Sequence, residues 1–423
     1  MAVKIARQAN RIAILGAPTS AAALSAGHEN APSALRKAAL VERLTSAGYG
    51  VNDLGDDPPQ LSKPDEESPR ARNLPGVIAA LEALKPRVEQ AIKSGALPLI
   101  VGGDCSIALA TVAGARRYFR RVGVVYVDRD ADLNTPSSTP SGCLDGMVVS
   151  HLTGRGAAEL VRFWSEPPLV REPDLALFGI DRLDPGEEEF LRHSTLRRFT
   201  ADEVRTMGAA AAARAALERI HANGYEFVLH FDVDVIGDFP ATNYPASGGL
   251  TLEEVSEALE RFLEQKNLAA VEITAYNPTK DPDGSWAKCL VDVLTRGLEK
   301  RLSVLQTAAQ PLPPEPAGQE APLPPGQPPM PESEPESPPP TAEACSPDSL
   351  EPEAPGQARE APASALAPDS RPEAPADSGS SASDSERPAG LGAGGNELRS
   401  RREAESPREQ TPGSQEDSGE PSA

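Results

Sequence analysis

Apolar positions along this chain form two alternating kinds of run. Short continuous runs rich in Val, Ile and Leu read as buried strands. They are Arg11–Gly16, Pro98–Val101, Val124–Val127, Leu175–Gly179, Phe227–Phe231 and Ala269–Thr274. Between them, apolar residues recur every three or four positions, the period of a helix with one buried face. This pattern predicts helices over Ser33–Ala47 (Pro32 just before it), Leu74–Ser94, Ile107–Phe119, the Ala-rich Ala209–His221, Leu252–Leu263 with Thr251 as its cap, and Ser285–Val304. Strands alternating with helices imply a parallel sheet with helices on both faces, and in such folds ligands bind beyond the carboxyl ends of the strands.

Polar chemistry collects at those ends. The run Val124–Val127 leads into Asp128, Asp130 and Asp132, and Phe227–Phe231 leads into Asp232 and Asp234. In extended chain, alternate side chains share a face, so carboxylates spaced by two converge. Carboxylates that close repel unless a cation sits among them, and hard divalent ions take oxygen ligands. Either segment alone also reads as a polar turn capping a strand; two in one chain favour a metal site.

Composition then shortens the folded part. The 423 residues carry a net charge of −22, but no Phe, Tyr or Trp follows Trp286. From Gln306 onward lie 25 of the 44 prolines, with 22 acidic and 7 basic residues, so residues 1–305 carry about −7 by difference. Pro, Glu, Ser and Ala without aromatics bury too little apolar surface to offset chain entropy. The expectation is one α/β domain over 1–305 and a disordered acidic tail over 306–423, whose partner the sequence does not name. The negative charge argues against a nucleic-acid surface and against acidic lipid. Four cysteines without CxxC spacing argue against a disulfide scaffold, and no run reaches membrane-span length. A cytoplasmic protein with reduced thiols is expected.

The ordered motifs resemble the arginase and agmatinase ureohydrolases over nearly all of residues 11–305. Gly16-Ala17-Pro18 and Gly27–Arg36 resemble the family's opening motif, and Asp53-Leu54-Gly55-Asp56 a strand end. Gly102-Gly103-Asp104 resembles Gly-Gly-Asp-His-Ser, Asp128–Asp132 resembles Asp-Ala-His-x-Asp, and Asp232-Val233-Asp234 resembles the third metal motif. Asn134-Thr135-Pro136, Thr139, Ser141-Gly142 and Gly146 resemble the arginase loop that holds the amino-acid end of the substrate. Asp184-Pro185-Gly186-Glu187 resembles the segment that binds its α-amino group, and Asn277-Pro278 the motif after the last site strand.

The resemblance implies a three-layer α/β/α fold with about eight mostly parallel strands and two divalent ions, manganese first, zinc or iron(II) as alternatives. It also implies a trimer or hexamer, and hydrolysis of a guanidino or amidino C–N bond on arginine or a related amino acid by a hydroxide shared between the ions. By the same analogy Cys105, Asp128, Asp132 and Asp232 hold the first ion. Asp128, Asp130, Asp232 and Asp234 hold the second. Asp132 and Asp145 are the candidate catalytic residues, and Asn134, Ser141, Asp184 and Glu187 bind the substrate.

Four positions depart from the family pattern. Cys105, Asp130 and Asp145 stand where histidines are usual, and Ala275 where a glutamate grips the guanidinium. Cys105 is either a soft ligand, shifting preference toward zinc or iron, or a buried apolar residue. Asp130 either replaces an imidazole with a hard ligand or turns outward and leaves one metal. His28, His151, His193, His221 and His230 fall elsewhere and read as structural or exposed, although His230 shares strand parity with Asp232. The alternative function is a catalytically inactive relative that uses the fold for binding or assembly.

Overall fold

The computed structural model describes residues 5–221 and 224–309. Its centre is an eight-stranded, all-parallel sheet: β1 (Arg11–Gly16), β2 (Gly50–Asp56), β3 (Leu97–Val101), β4 (Val122–Val127), β5 (Leu175–Ile180), β6 (Arg197–Thr200), β7 (Glu226–Asp232) and β8 (Leu268–Thr274). Their spatial order is β2-β1-β3-β8-β7-β4-β5-β6. Side chains alternate between two apolar cores. Val125, Val127, Val271 and Ile273 face one, and Val124, Tyr126, Val228 and Ala270 the other. The long helix Leu74–Lys93 and the helix Ile107–Arg116 cover the second face; Ala209–His221, Leu252–Leu263 and Ser285–Ala309 cover the first. The three-layer α/β/α architecture expected from the alternation is the one observed.

Most elements lie where the pattern places them. The helix at Leu252 opens as expected, Thr251 Oγ1 accepting from Glu254 N while Glu254 Oε2 accepts from Thr251 N. The segment 33–47 differs. It forms two helices, Ala31–Lys37 and Leu40–Ser46, because Ala39 sits at φ 65°, in the left-handed region that stops an α-helix. The last helix runs on to Ala309, past the expected domain boundary at 305, and the rest of the expected tail lies outside the described residues. Cys105, Cys143 and Cys289 are free thiols.

Both outer strands carry charge. On β2, Asp53 and Asp56 are held by the Arg36 guanidinium, whose Nε lies 2.7 Å from Asp53 Oδ2 and whose Nη1 lies 2.5 Å from Asp56 Oδ1. The four central strands β3, β8, β7 and β4 end side by side, and the motifs carrying Asp104, Asp128 and Asp232 leave from that edge.

Candidate metal centre and substrate cleft

Strand register stacks the site in two rows. Tyr126, His230 and Glu272 are direct cross-strand partners on β4, β7 and β8. One pleat further on, Asp128, Asp232 and Thr274 take the same face, with Asp232 paired to Thr274. Cys105 arrives from β3 through Gly102 and Gly103, both at φ 90°. A Cβ on Gly102 would sit 2.4 Å from Pro32 Cδ, so only glycine lets that turn pass so close to the helix Ala31–Lys37. Asp104 in this turn is structural. Its Oδ1 accepts from Ser106 N and its Oδ2 from Ala22 N.

Two sets of ligand atoms gather here, each lying within 4.8 Å of one another: Cys105, Asp128, His230 and Asp232, and then Asp128, Asp130 and Asp234. Asp128 belongs to both, whereas Asp232, expected to bridge, falls only in the first. Asp132, expected at the first metal, falls in neither set and accepts a hydrogen bond from Tyr126 Oη. Each of these aspartates is fixed by its neighbours. Asp128 Oδ1 accepts from Asp130 N at 2.7 Å, Asp232 Oδ1 from Asp234 N at 2.8 Å, and Asp232 Oδ2 from the Cys105 thiol at 2.8 Å.

Burial, then mutual repulsion, raises the pKa of Asp128 and Asp232 well above the usual carboxylate range; for Asp132, Tyr126's hydrogen bond partly opposes the rise. Asp234 is pushed to about 6, by burial first and then by Asp130. The Cys105 thiol is raised well above its ordinary value by burial and by Asp232. Such a set is electrostatically unfavourable when ionised without a cation. Asp234 Oδ1 is buried and has no hydrogen-bond partner in the described protein. The donor set therefore fits a divalent ion.

The half around Asp130 and Asp234 differs, because guanidinium groups stand against it. Arg182 pairs with Asp130 through Nε at 2.5 Å and through Nη2. Arg129, only 2 % exposed, brings Nη2 to 3.7 Å from Asp234 Oδ2 while donating to Tyr244 O at 2.7 Å.

A cavity of about 340 Å³ opens over both halves. Asn134, Ser141, Asp184 and Glu187 line its far wall together with Asp145. Asn134 Nδ2 donates to Asp184 Oδ2 at 2.7 Å, and Glu187 accepts from Leu133 N and Asp184 N at 2.8 Å each. Glu187 is thus spent largely on holding the wall. Burial pushes its carboxyl to about 7. Asp145 accepts from Tyr244 Oη, and burial, with Asp104 behind it, pushes it to about 7 as well. Ala275 is buried in the apolar core at φ 61° and gives the cavity no polar group.

His230 is the residue that sequence reasoning set aside. It is fully buried, stacks on Tyr126 at 4.0 Å between ring centroids, and belongs to the first ligand set. Its parity with Asp232 was the available signal. His28 and His151 are buried and burial lowers both to about 4, so they are neutral; His193 is exposed, and the His221 side chain lies outside the described residues. Among the described residues, no helix is long and apolar enough to cross a membrane.

Comparison with known proteins agrees with this geometry. The Arginase family model matches residues 10–297. The arginase of Bacillus caldovelox is 31% identical over 287 residues, covering 67% of this chain and 96% of that relative. That of Bacillus subtilis is 31% identical over 294 residues, covering 69% and 98%. The crystal structure of Bacillus cereus arginase superposes with a TM-score of 0.62 at 29% identity, covering 69% of this chain and 98% of that one. A formimidoylglutamase of Bacillus subtilis, at 19% identity and a TM-score of 0.56, shares the fold. With eight parallel strands in place, carboxylates converging where four of them end, and a match spanning most of the folded residues, the chain belongs to the arginase family.

Proposed function

We propose that this chain is a metal-dependent hydrolase of the ureohydrolase type, cleaving a C–N bond of a guanidino or amidino group on arginine or a related amino acid. The observation that carries the reading is the convergence of buried carboxylates on the floor of a cavity whose far wall is built from Asn134, Ser141 and Asp184. When bound, a divalent ion supplies hydroxide at neutral pH and polarises the planar carbon under attack. Asp184 takes the substrate's α-ammonium, and Asn134, tied to Asp184, and Ser141 take its carboxylate end. Asp132, held by Tyr126, receives a proton on the floor. Asp145 sits in the wall with a pKa near 7, so it can hold a proton at neutrality and give it to the departing nitrogen. The finer reading is a cytoplasmic homo-oligomer holding divalent metal, with manganese, zinc and iron(II) as the candidates.

Ala275 sets the limit on arginine. A carboxylate at that position would grip the reacting end, and losing one charge-assisted contact there costs roughly 2–3 kcal/mol, about two orders of magnitude in rate. Weak arginine turnover and faster turnover of an amino acid with a smaller carbon–nitrogen terminus are expected. The test is release of urea or ammonia from arginine and shorter amidino and ureido amino acids, with manganese, zinc and iron(II) in turn. Brisk arginine hydrolysis would overturn the reading of Ala275, and silence toward all substrates with every metal would overturn the hydrolase.

A second reading, a binding protein without activity, is favoured by the pairing of Arg182 with Asp130 and the approach of Arg129 to Asp234. Those cations stand where charge for a second ion would act. Light scattering, with metal analysis of the same sample, separates an inactive assembly from a metal-loaded one.

A further inference from the structure

We propose that the Cys105 half of the cleft is a mononuclear zinc-class site, made by Cys105 Sγ, His230 Nε2 and one oxygen each of Asp128 and Asp232, with Glu272 orienting the imidazole, and that it takes one ion while Arg129 and Arg182 neutralise the other half. The inference rests on the reading of the cleft as a metal centre and specifies its ligands, ion and stoichiometry.

The ligand types come first. A thiol sulfur and an imidazole nitrogen beside two carboxylates make a mixed soft and borderline set, which suits zinc better than an all-oxygen set does. One ligand atom from each of the four residues lies within 4.8 Å of the other three. A tetrahedral ion with ligand distances of about 2.0–2.3 Å separates its ligands by roughly 3.3–3.8 Å, so Cys105 Sγ and Asp232 Oδ2, now 2.8 Å apart, would part slightly while wider pairs close.

The histidine is prepared for this role. Nδ1 of His230 lies 2.7 Å from Glu272 Oε1, with both side chains fully buried. Metal-bound histidines characteristically donate their second ring N–H to a carboxylate, which fixes the tautomer and leaves the other nitrogen as the ligand. Among the described residues, that other nitrogen, Nε2, has only a long contact, 3.4 Å to Thr274 Oγ1. Stacking on Tyr126, with ring planes 5° apart, keeps the imidazole from turning away. Strand register does the rest. Glu272, His230 and Tyr126 are cross-strand partners, one pleat below Asp232 and Asp128.

Sulfur is poised in the same way. The Cys105 thiol donates to Asp232 Oδ2 at 2.8 Å and approaches Thr274 Oγ1 at 3.7 Å. An ion entering the set replaces the proton shared by Cys105 and Asp232. That proton leaves to solvent, the sulfur–metal and carboxylate–metal contacts form, and no redox step occurs. On the far side, Arg182 is bonded to Asp130 and Arg129 stands 3.7 Å from Asp234, so the second set already faces two positive charges.

The test uses the full chain stripped with a chelator and titrated with cobalt(II), then with zinc against a chromogenic competitor. One equivalent per chain, an intense visible cobalt spectrum and a thiolate-to-cobalt band in the near ultraviolet are expected. Cys105→Ser should lose the sulfur band. His230→Gln should weaken zinc by at least 100-fold and change the visible spectrum. Glu272→Gln should keep the spectrum and weaken zinc by about 10–100-fold, a split that a general packing defect would not produce. Far-ultraviolet circular dichroism and melting in chelator identify any variant that fails to fold, in which case Cys105→Ser and Glu272→Gln carry the test. A pale octahedral spectrum without a sulfur band, unchanged in His230→Gln, would overturn the proposal and leave an all-carboxylate hydrolase standing. Two equivalents in the wild type would overturn the single-ion assignment. No binding of any ion would overturn this inference and the metal-centre reading together.

Discussion

The two halves of the cleft start from similar sequence and end in different chemistry. Both draw on the aspartates spaced by two at the ends of β4 and β7, and they share Asp128. Around Cys105, among the described residues, no cationic side chain is ion-paired with Asp128 or Asp232, and burial with mutual repulsion raises both pKa values. Around Asp130 the neighbours are Arg182 and Arg129. A carboxylate cluster is therefore only half of a metal-site signature. The other half is whether the fold has already supplied the opposing charge.

The largest effect should come from Asp232→Ala. It removes a ligand and the acceptor of the Cys105 thiol, so metal content should fall from stoichiometric to near zero, whereas Asp130→Ala should change it little. Plasma emission on dialysed protein checks both, and equal metal loss from the two would erase the distinction between the halves.

Next is the pH dependence of the stripped protein. Asp145 folds with a pKa of about 7, above the value near 3.9 of an unfolded aspartate. The folded state binds that proton more tightly, so this stability is fully present below about pH 4 and is lost as pH rises through 7. The shift corresponds to at most roughly 4 kcal/mol. Metal-free protein should melt lower at pH 8 than at pH 5, and Asp145→Asn should flatten the difference; a rising Tm over that range would contradict the burial argument.

Ala275→Glu should raise arginine turnover by up to about 100-fold, the counterpart of the roughly 2–3 kcal/mol argued above. Because Ala275 is buried in the apolar core, the same change should cost about 1–3 kcal/mol of stability by overpacking. Urea release read alongside thermal melts distinguishes a repaired site from a damaged fold.

Arg182→Ala should have the smallest effect on stability, within about 1 kcal/mol, since its side chain is half exposed. Its informative readout is metal count. Freed from Arg182, Asp130 should admit a second ion at high manganese concentration, and an unchanged count would mean that Arg129 alone closes that half.

Much of this was legible in advance because periodicity and strand-end carboxylates are local signals. β1 spans the predicted run, and the helix at Leu252 was readable from its cap and its apolar face. β6 was missed because Arg197-Arg198-Phe199-Thr200 buries only Phe199 and so lacks an apolar run. The helix Pro185–His193 was missed because one stretch carried both a wall of the site and its own capping box. His230 was visible as part of a strand, but its role depends on Glu272, 42 residues away, meeting it in register. Arg182 meets Asp130 only because β5 lies beside β4, and no local pattern carries that adjacency.

The Arg36 fork on β2 has a consequence for the crowded cell. An open sheet ends in a row of unpaired backbone groups, an invitation to any stray strand. Here that border carries Asp53 and Asp56 with a guanidinium clasped across them. A newcomer zipping along β2 would have to strip water from these charges and displace the clasp. The ion pair, worth little to the stability of the fold, acts as a fence against runaway strand addition.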